Sequence, residues 1–239
     1  EIQFGDWSSD VCSSDLIGPN GAGKSTLLAA LAGVSPPTDG AVTLDGQPLA
    51  AIPAKALARR RAYLPQSARC EWPISVERLV ALGLTPTLPA IGDLTPQDRA
   101  RIAEVLREFD LTHLRDQAAT TLSGGELARA MLGRSVVGDP DIVIADEPVS
   151  GLDPRHALEA MERLRALADG GRTIIVALHD LSLAARYADH VLALKQGRVA
   201  AYGAVRETLT APMLKDLFDV NVRVLDGPDG LEIYLGGRA

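Results

Sequence analysis

Nine consecutive residues, Gly18-Pro19-Asn20-Gly21-Ala22-Gly23-Lys24-Ser25-Thr26, fit the phosphate-binding pattern G-x-x-x-x-G-K-[ST] without a gap. Glycines there let backbone N–H groups converge on a phosphate chain that side chains would fend off. Lys24 offers a flexible cation for the β- and γ-phosphates, and Ser25 a hydroxyl for Mg²⁺. The residues from Ser25 to Ala32 read as a helix whose N-terminal dipole favours the same anion. A second loaded position follows the apolar run Ile142-Val143-Ile144-Ala145, which ends in Asp146-Glu147-Pro148. Asp146 stands where a carboxylate holds Mg²⁺, and Glu147 where another orients and deprotonates water. A third apolar run, from Thr173 to Leu178, finishes at His179. Singly, an Asp-Glu pair is a charged strand exit and a lone histidine is more often structural. Together they point to a nucleotide site, because open α/β sheets bind ligands at the carboxyl ends of their strands.

The elements that must position these residues alternate between strand and helix, the pattern of a parallel sheet with crossover helices. Ala41 to Leu44 reads as a strand before the Asp45-Gly46 turn, 52–61 as a helix, and Ala62 to Gln66 as a strand that Pro65 brings to an end. Residues 67–121 turn helical. Val76, Leu79, Val80 and Leu82 suit one amphipathic helix, and Ile102, Val105, Leu106 and Phe109 place a stripe on a second, entered at Thr95-Pro96. Helices are also expected from Ser123 to about Val137, from Arg155 to Ala168 and from Met213 to Phe218. Late strands fall at 191–194, at 198–202 and on either side of 226–230. Gly133 sits mid-helix at a cost of about 1 kcal/mol against alanine, with no local reason. The expected organisation is one domain over 1–239, with 67–121 a helical lobe inserted in the α/β core and 200–239 a C-terminal extension.

The opening segment breaks this pattern. A strand should run into the phosphate loop, yet Trp7 to Asp15 carries two Ser-Ser-Asp triplets, which prefer turns and caps. Only Leu16 and Ile17 have strand character. The segment resembles translated sequencing adapter, so residues 1–16 are expected to be non-native, with the genuine reading starting near Leu16.

Bulk properties exclude several classes. The 239 residues suit one large domain, and 46% hydrophobic content is ample for its core. A net charge of −7 argues against a surface built to neutralise nucleic-acid phosphates, and Arg59-Arg60-Arg61 with Lys55 reads as a solvated face. Cys12 and Cys70 have no metal-ligand spacing, which fits a reducing compartment. No apolar run approaches the roughly 18 residues that span a bilayer. No signal-peptide pattern opens the chain. A cytoplasmic protein able to dock on a membrane partner is expected.

In their order, these motifs resemble the ATP-binding subunit of an ABC (ATP-binding cassette) transporter. The resemblance rests on the phosphate loop, Gln66 at the Q-loop position and the signature Leu122-Ser123-Gly124-Gly125-Glu126. It continues through the Asp146-Glu147 Walker B end, the D-loop Ser150-Gly151-Leu152-Asp153 and the switch position His179, covering about Ile17 to Leu225. It implies a P-loop NTPase core with a mostly parallel sheet, an inserted α-helical lobe and small β elements. It implies ATP as substrate, with Mg²⁺ at Ser25, Gln66 and Asp146, and Lys24, Gln66, Glu147 and His179 as the catalytic set. Ser123, Gly124, Gly125, Glu126 and Asp153 would then contact nucleotide held by a second copy or a homologous subunit. Local roles coexist with these: Ser123-x-x-Glu126 is also a capping box, and Asp153-Pro154 a sound helix start. Many members carry Gln where this chain has Glu126.

Tyr63-Leu64-Pro65-Gln66, Trp72 to Val76, Leu79 to Gly83, His179 to Ala184 and Phe218-Asp219-Val220 are similar to importers of iron–siderophore, haem and cobalamin type. The implied partners are a membrane permease and, through it, a substrate-binding protein, with this subunit peripheral on the cytoplasmic face and no nucleic acid. The alternatives are an importer ATPase for another small solute and a soluble ABC ATPase acting on nucleic acid or ribosomes. Acidic charge and the lack of coiled-coil insertions or basic arms disfavour the soluble form. An inactive regulatory cassette is opposed by the complete set of Lys24, Asp146, Glu147 and His179. One departure stands out: members stack adenine on an aromatic residue about two dozen positions before the loop. Phe4 and Trp7 are too close to it, so weak nucleotide affinity is expected.

Overall fold

The structure, a computed structural model, describes residues 13–66, 69–88, 93–227 and 230–238. Phe4, Trp7 and Cys12 lie outside the described residues. In chain order the elements are β1 (Ser13–Ile17), α1 (Lys24–Leu31), the short hairpin β2 (Thr43–Leu44) and β3 (Gln47–Pro48), α2 (Ala54–Arg60) and β4 (Arg61–Leu64). Then come α3 (Val76–Ala81), α4 (Pro96–Glu108), α5 (Gly124–Val136), β5 (Ile142–Asp146), α6 (Pro154–Asp169) and β6 (Thr173–Ala177). The chain continues with α7 (Leu181–Tyr187), β7 (His190–Lys195), β8 (Arg198–Ala204), α8 (Val205–Thr208), α9 (Ala211–Phe218), β9 (Val220–Gly227) and β10 (Gly230–Arg238).

The main sheet has the order β4-β5-β6-β1-β7-β8, parallel throughout except for the antiparallel edge strand β8. Helices cover both faces, so the inner strands β5, β6 and β7 are near-continuous apolar runs, as parallel sheets require. On one face Leu16, Ile144, Ile175, Leu192 and Leu194 pack with Leu28 and Leu31 of α1. On the other Ile17, Val143, Ala145, Ile174, Val176 and Val191 join a larger cluster that includes residues of α3 to α7.

β1 departs from the sequence reading. Strand character was expected only at Leu16 and Ile17, whereas all five residues from Ser13 to Ile17 are strand and buried. The reason is tertiary: β1 fills the gap between β6 and β7 and satisfies the main-chain edges of both. Asp15 lies across from Val176 on one side and Val191 on the other.

α3 and α4 pack on α5, in the same apolar cluster as one face of the sheet. This explains Gly133. A Cβ there would stand 3.0 Å from Val105 Cγ1 of α4, so glycine admits the close crossing that its helix propensity argues against. α7 was not expected as a helix; its start is marked by Asp180, whose carboxylate accepts from the N–H groups of Ser182 and Leu183.

Candidate active site

β1 delivers the chain directly into the phosphate loop. Gly18 is unavoidable there: its φ is +152°, and a Cβ would collide with the carbonyl oxygen of Leu194 on β7. The far side of the loop is braced by the β7–β8 turn, where the Gly197 N–H donates to Ala22 O at 3.0 Å. α1 starts at Lys24, whose buried Nζ donates to Gly18 O at 2.7 Å. Burial lowers the ammonium pKa, opposed by the fields of Glu147 and then Asp146. Lys24 thus closes the loop on itself and keeps a cation between the phosphate cradle and two carboxylates.

β5 carries those carboxylates to its end. Asp146 is 2% exposed, and its Oδ1 has no hydrogen-bond partner among the described residues. An orphaned buried carboxylate oxygen beside a phosphate cradle fits a cation that the ligand's phosphates help to hold. Among the described residues no group of three or more His, Cys, Asp and Glu side chains could hold a metal unaided. Mg²⁺ coordinates through few protein groups plus phosphate, which suits this sparse set. Glu147 has a φ of +53°, an uncommon left-handed conformation for a residue with a side chain. Its N–H donates to Ala177 O at 3.0 Å, which ties the turn to the end of β6. Its carboxylate meets Nε2 of the half-exposed His179.

A cavity of about 430 Å³ is lined by Asn20 to Thr26, Gln66, Glu147 and His179. The fold therefore gathers the cradle with Gln66, Glu147 and His179, the residues expected as Q-loop glutamine, base and switch histidine, with Asp146 next to Glu147 in the chain. Glu147 and His179 also border a cleft of about 400 Å³ that runs to Ser150, Leu152 and Pro154. The signature is not brought into either space. Ser123 caps α5 instead, in the reciprocal box with Glu126 that its spacing predicts. Gly125 lies near Leu152 and Gly151 of the D-loop, so signature and D-loop adjoin each other.

Sequence reasoning did not find His156. Asp153 caps α6 by accepting the His156 N–H at 3.1 Å, and its other oxygen meets His156 Nδ1 at 2.5 Å. That histidine, more than any other contact, holds the Asp153 carboxyl below its usual range. The i, i+3 spacing from the cap is the signal that could have revealed it.

The ABC transporter family model matches residues 13–150, and the chain belongs to that family. Its relatives are ATP-binding subunits of haem and siderophore importers. The hemin import ATP-binding protein HmuV of Rhodopseudomonas palustris is 44% identical over 218 residues, covering 87% of this chain and 78% of that protein. The ferric enterobactin transport ATP-binding protein FepC of Escherichia coli is 36% identical over 214 residues, 89% of this chain and 79% of that one. Among solved structures, a dimeric post-hydrolysis state of the ATP-binding cassette MJ0796 with ADP and Pi aligns with a TM-score of 0.75 at 25% identity. That alignment covers 83% of this chain and 87% of that one. An inward-facing metal-chelate type ABC transporter aligns at 0.79 over 96% of this chain and 88% of that one; at 22% identity it bears on fold alone.

Proposed function

We propose that this chain is the ATPase subunit that powers a membrane importer of haem or iron chelates. One observation carries the reading. The phosphate cradle, Gln66, Glu147 and His179 share one cavity, while Ser123, Gly124 and Gly125 do not line it and Gly125 adjoins Gly151 and Leu152 of the D-loop. Such a half-site calls for a second cassette, set head to tail, to supply its signature to the bound ATP. Asp153, next to Leu152 in the chain, would contact the same nucleotide.

Each residue then has a defined task. The loop amides and Lys24 neutralise charge on the phosphates, and the dipole of α1 adds to the field. Glu147, held by the turn at the end of β5, accepts a proton from the attacking water. His179 keeps that carboxylate in place, and Gln66 reports on the γ-phosphate. Ser25, Gln66 and Asp146 would hold Mg²⁺, which would supply further positive charge against the phosphates.

Coupling runs through the flank of Gln66. A groove of about 590 Å³ beside Tyr63, Leu64 and Pro65 is bordered by Arg59, Arg69 and Arg134, and we assign it to the permease. Among the described residues no helix is long and apolar enough to cross a membrane. Attachment at the cytoplasmic face would thus come through that partner. The substrate-binding protein and its cargo act on the permease and do not meet this subunit.

The test is Glu147→Gln. ATP hydrolysis should fall at least about 100-fold while ATP-dependent pairing persists. Retained turnover would remove Glu147 from the base role. Haem uptake by vesicles that hold the permease and this subunit distinguishes a haem importer from one serving another solute.

A further inference from the structure

Glu126, expected among the residues that contact a partner's nucleotide, is already engaged within its own chain. Its Oε2 accepts the Ser123 backbone N–H at 2.7 Å, while Ser123 Oγ accepts the Glu126 N–H at 3.3 Å. The backbone bond from Ser123, followed by the Ser123 side chain, holds the Glu126 carboxyl below its usual range. A fixed anion therefore sits on the first turn of the thirteen-residue helix α5, where the macrodipole favours negative charge.

A phosphate approaching Ser123, Gly124 and Gly125 seeks the same end of the dipole that the Glu126 carboxylate already occupies. The glycines leave that approach open. Among the described residues no atom lies within 4 Å of a Cβ built at Gly124, and only Leu152 and Gly151 come that near Gly125. The fields that act on Glu126 come from Arg129 and His113. Arg129 is buried and donates its Nε to Phe109 O at 3.1 Å, so its charge is already committed to the interior.

We propose that Glu126 is a built-in competitor for the γ-phosphate. It engages Ser123 and makes the signature surface negative, so two copies enclosing ATP must close against this charge. The idea rests on the proposed head-to-tail pair. A neutral glutamine keeps an amide oxygen for the Ser123 N–H, so Glu126→Gln removes the charge and preserves the cap. Its effect should be a gain, which damage to the fold does not produce.

The experiment measures ATP-dependent dimerisation by sedimentation velocity for Glu147→Gln and for the double variant Glu147→Gln/Glu126→Gln, at low and high salt. At low salt the double variant should pair about fivefold more tightly, the order expected for one charge facing a phosphate across partly hydrated space. High salt should shrink that advantage by screening. If Glu147→Gln pairs but the double variant pairs no better, or its advantage ignores salt, the competitor role is overturned while the paired site stands. If neither variant pairs with ATP, the head-to-tail reading fails and this inference falls with it.

Discussion

β1 and β6 lie side by side in one sheet, run in the same direction and align over four register positions, from Ser13 opposite Ile174 to Leu16 opposite Ala177. β6 reads Thr-Ile-Ile-Val-Ala, as a strand covered on both faces should; β1 reads Ser-Ser-Asp-Leu-Ile in an equally buried slot. Backbone pairing with β6 and β7 is what β1 shares with its neighbour, and it is enough to place the strand. Side chains are where the two differ. Ser13 is tied in through its main chain, whose N–H donates to Asp189 Oδ2 at 2.9 Å and whose carbonyl accepts the Asp189 N–H at 2.8 Å. Asp189 in turn accepts from Arg165 at 2.8 Å. Asp15 has no such relief: it is fully buried, and neither carboxylate oxygen has a partner among the described residues. We propose that residues 1–16 are non-native and that the genuine sequence starts near Leu16. The consequence falls on function, since β1 leads directly into Gly18.

Making the neighbour resemble β1 should give the largest effect. Val176→Asp would set a second carboxylate across from Asp15, costing about 4 kcal/mol or more. That is a large share of a typical domain's stability, so urea melts should show an unfolded or severely weakened chain. Making β1 resemble its neighbour comes next. Asp15→Val should add roughly 2–4 kcal/mol by removing an unpaired buried polar group and burying apolar surface. An unchanged urea midpoint would mean that Asp15 is already satisfied.

The smallest difference should appear in pH dependence. Burial first, and Asp189 second, raise the Asp15 pKa well above its ordinary 3.8. The folded state then binds this proton more tightly than the unfolded one, so stability falls as pH climbs above 3.8 toward the raised value, and levels off beyond it. Asp98 and Asp153 are shifted down and act oppositely: their contribution is present above the ordinary carboxylate range and fades as pH drops. Melts across about pH 4 to 8 should show the falling limb in the parent chain and not in Asp15→Val.

The chemistry of this protein was legible from local sequence, because each motif must carry particular atoms at particular spacings whatever surrounds it. Gly18 to Thr26, Asp146-Glu147 and His179 sit at strand ends as read, and the apolar stripe of α4 falls where its period puts it. Gly133 made no sense until α4 was seen crossing it, and the capping role of Asp180 was clear only once α7 existed. His156 holding Asp153, the left-handed turn at Glu147 and its contact with His179 also came only from the fold. β1 marks the limit most plainly. Serine and aspartate predict a turn on their own, but a parallel sheet with an open position between β6 and β7 offers two rows of main-chain partners. Local preference amounts to about 1 kcal/mol per residue, and that pairing outweighs it. Residue types determined what the site can do; long-range pairing decided which backbone would hold it.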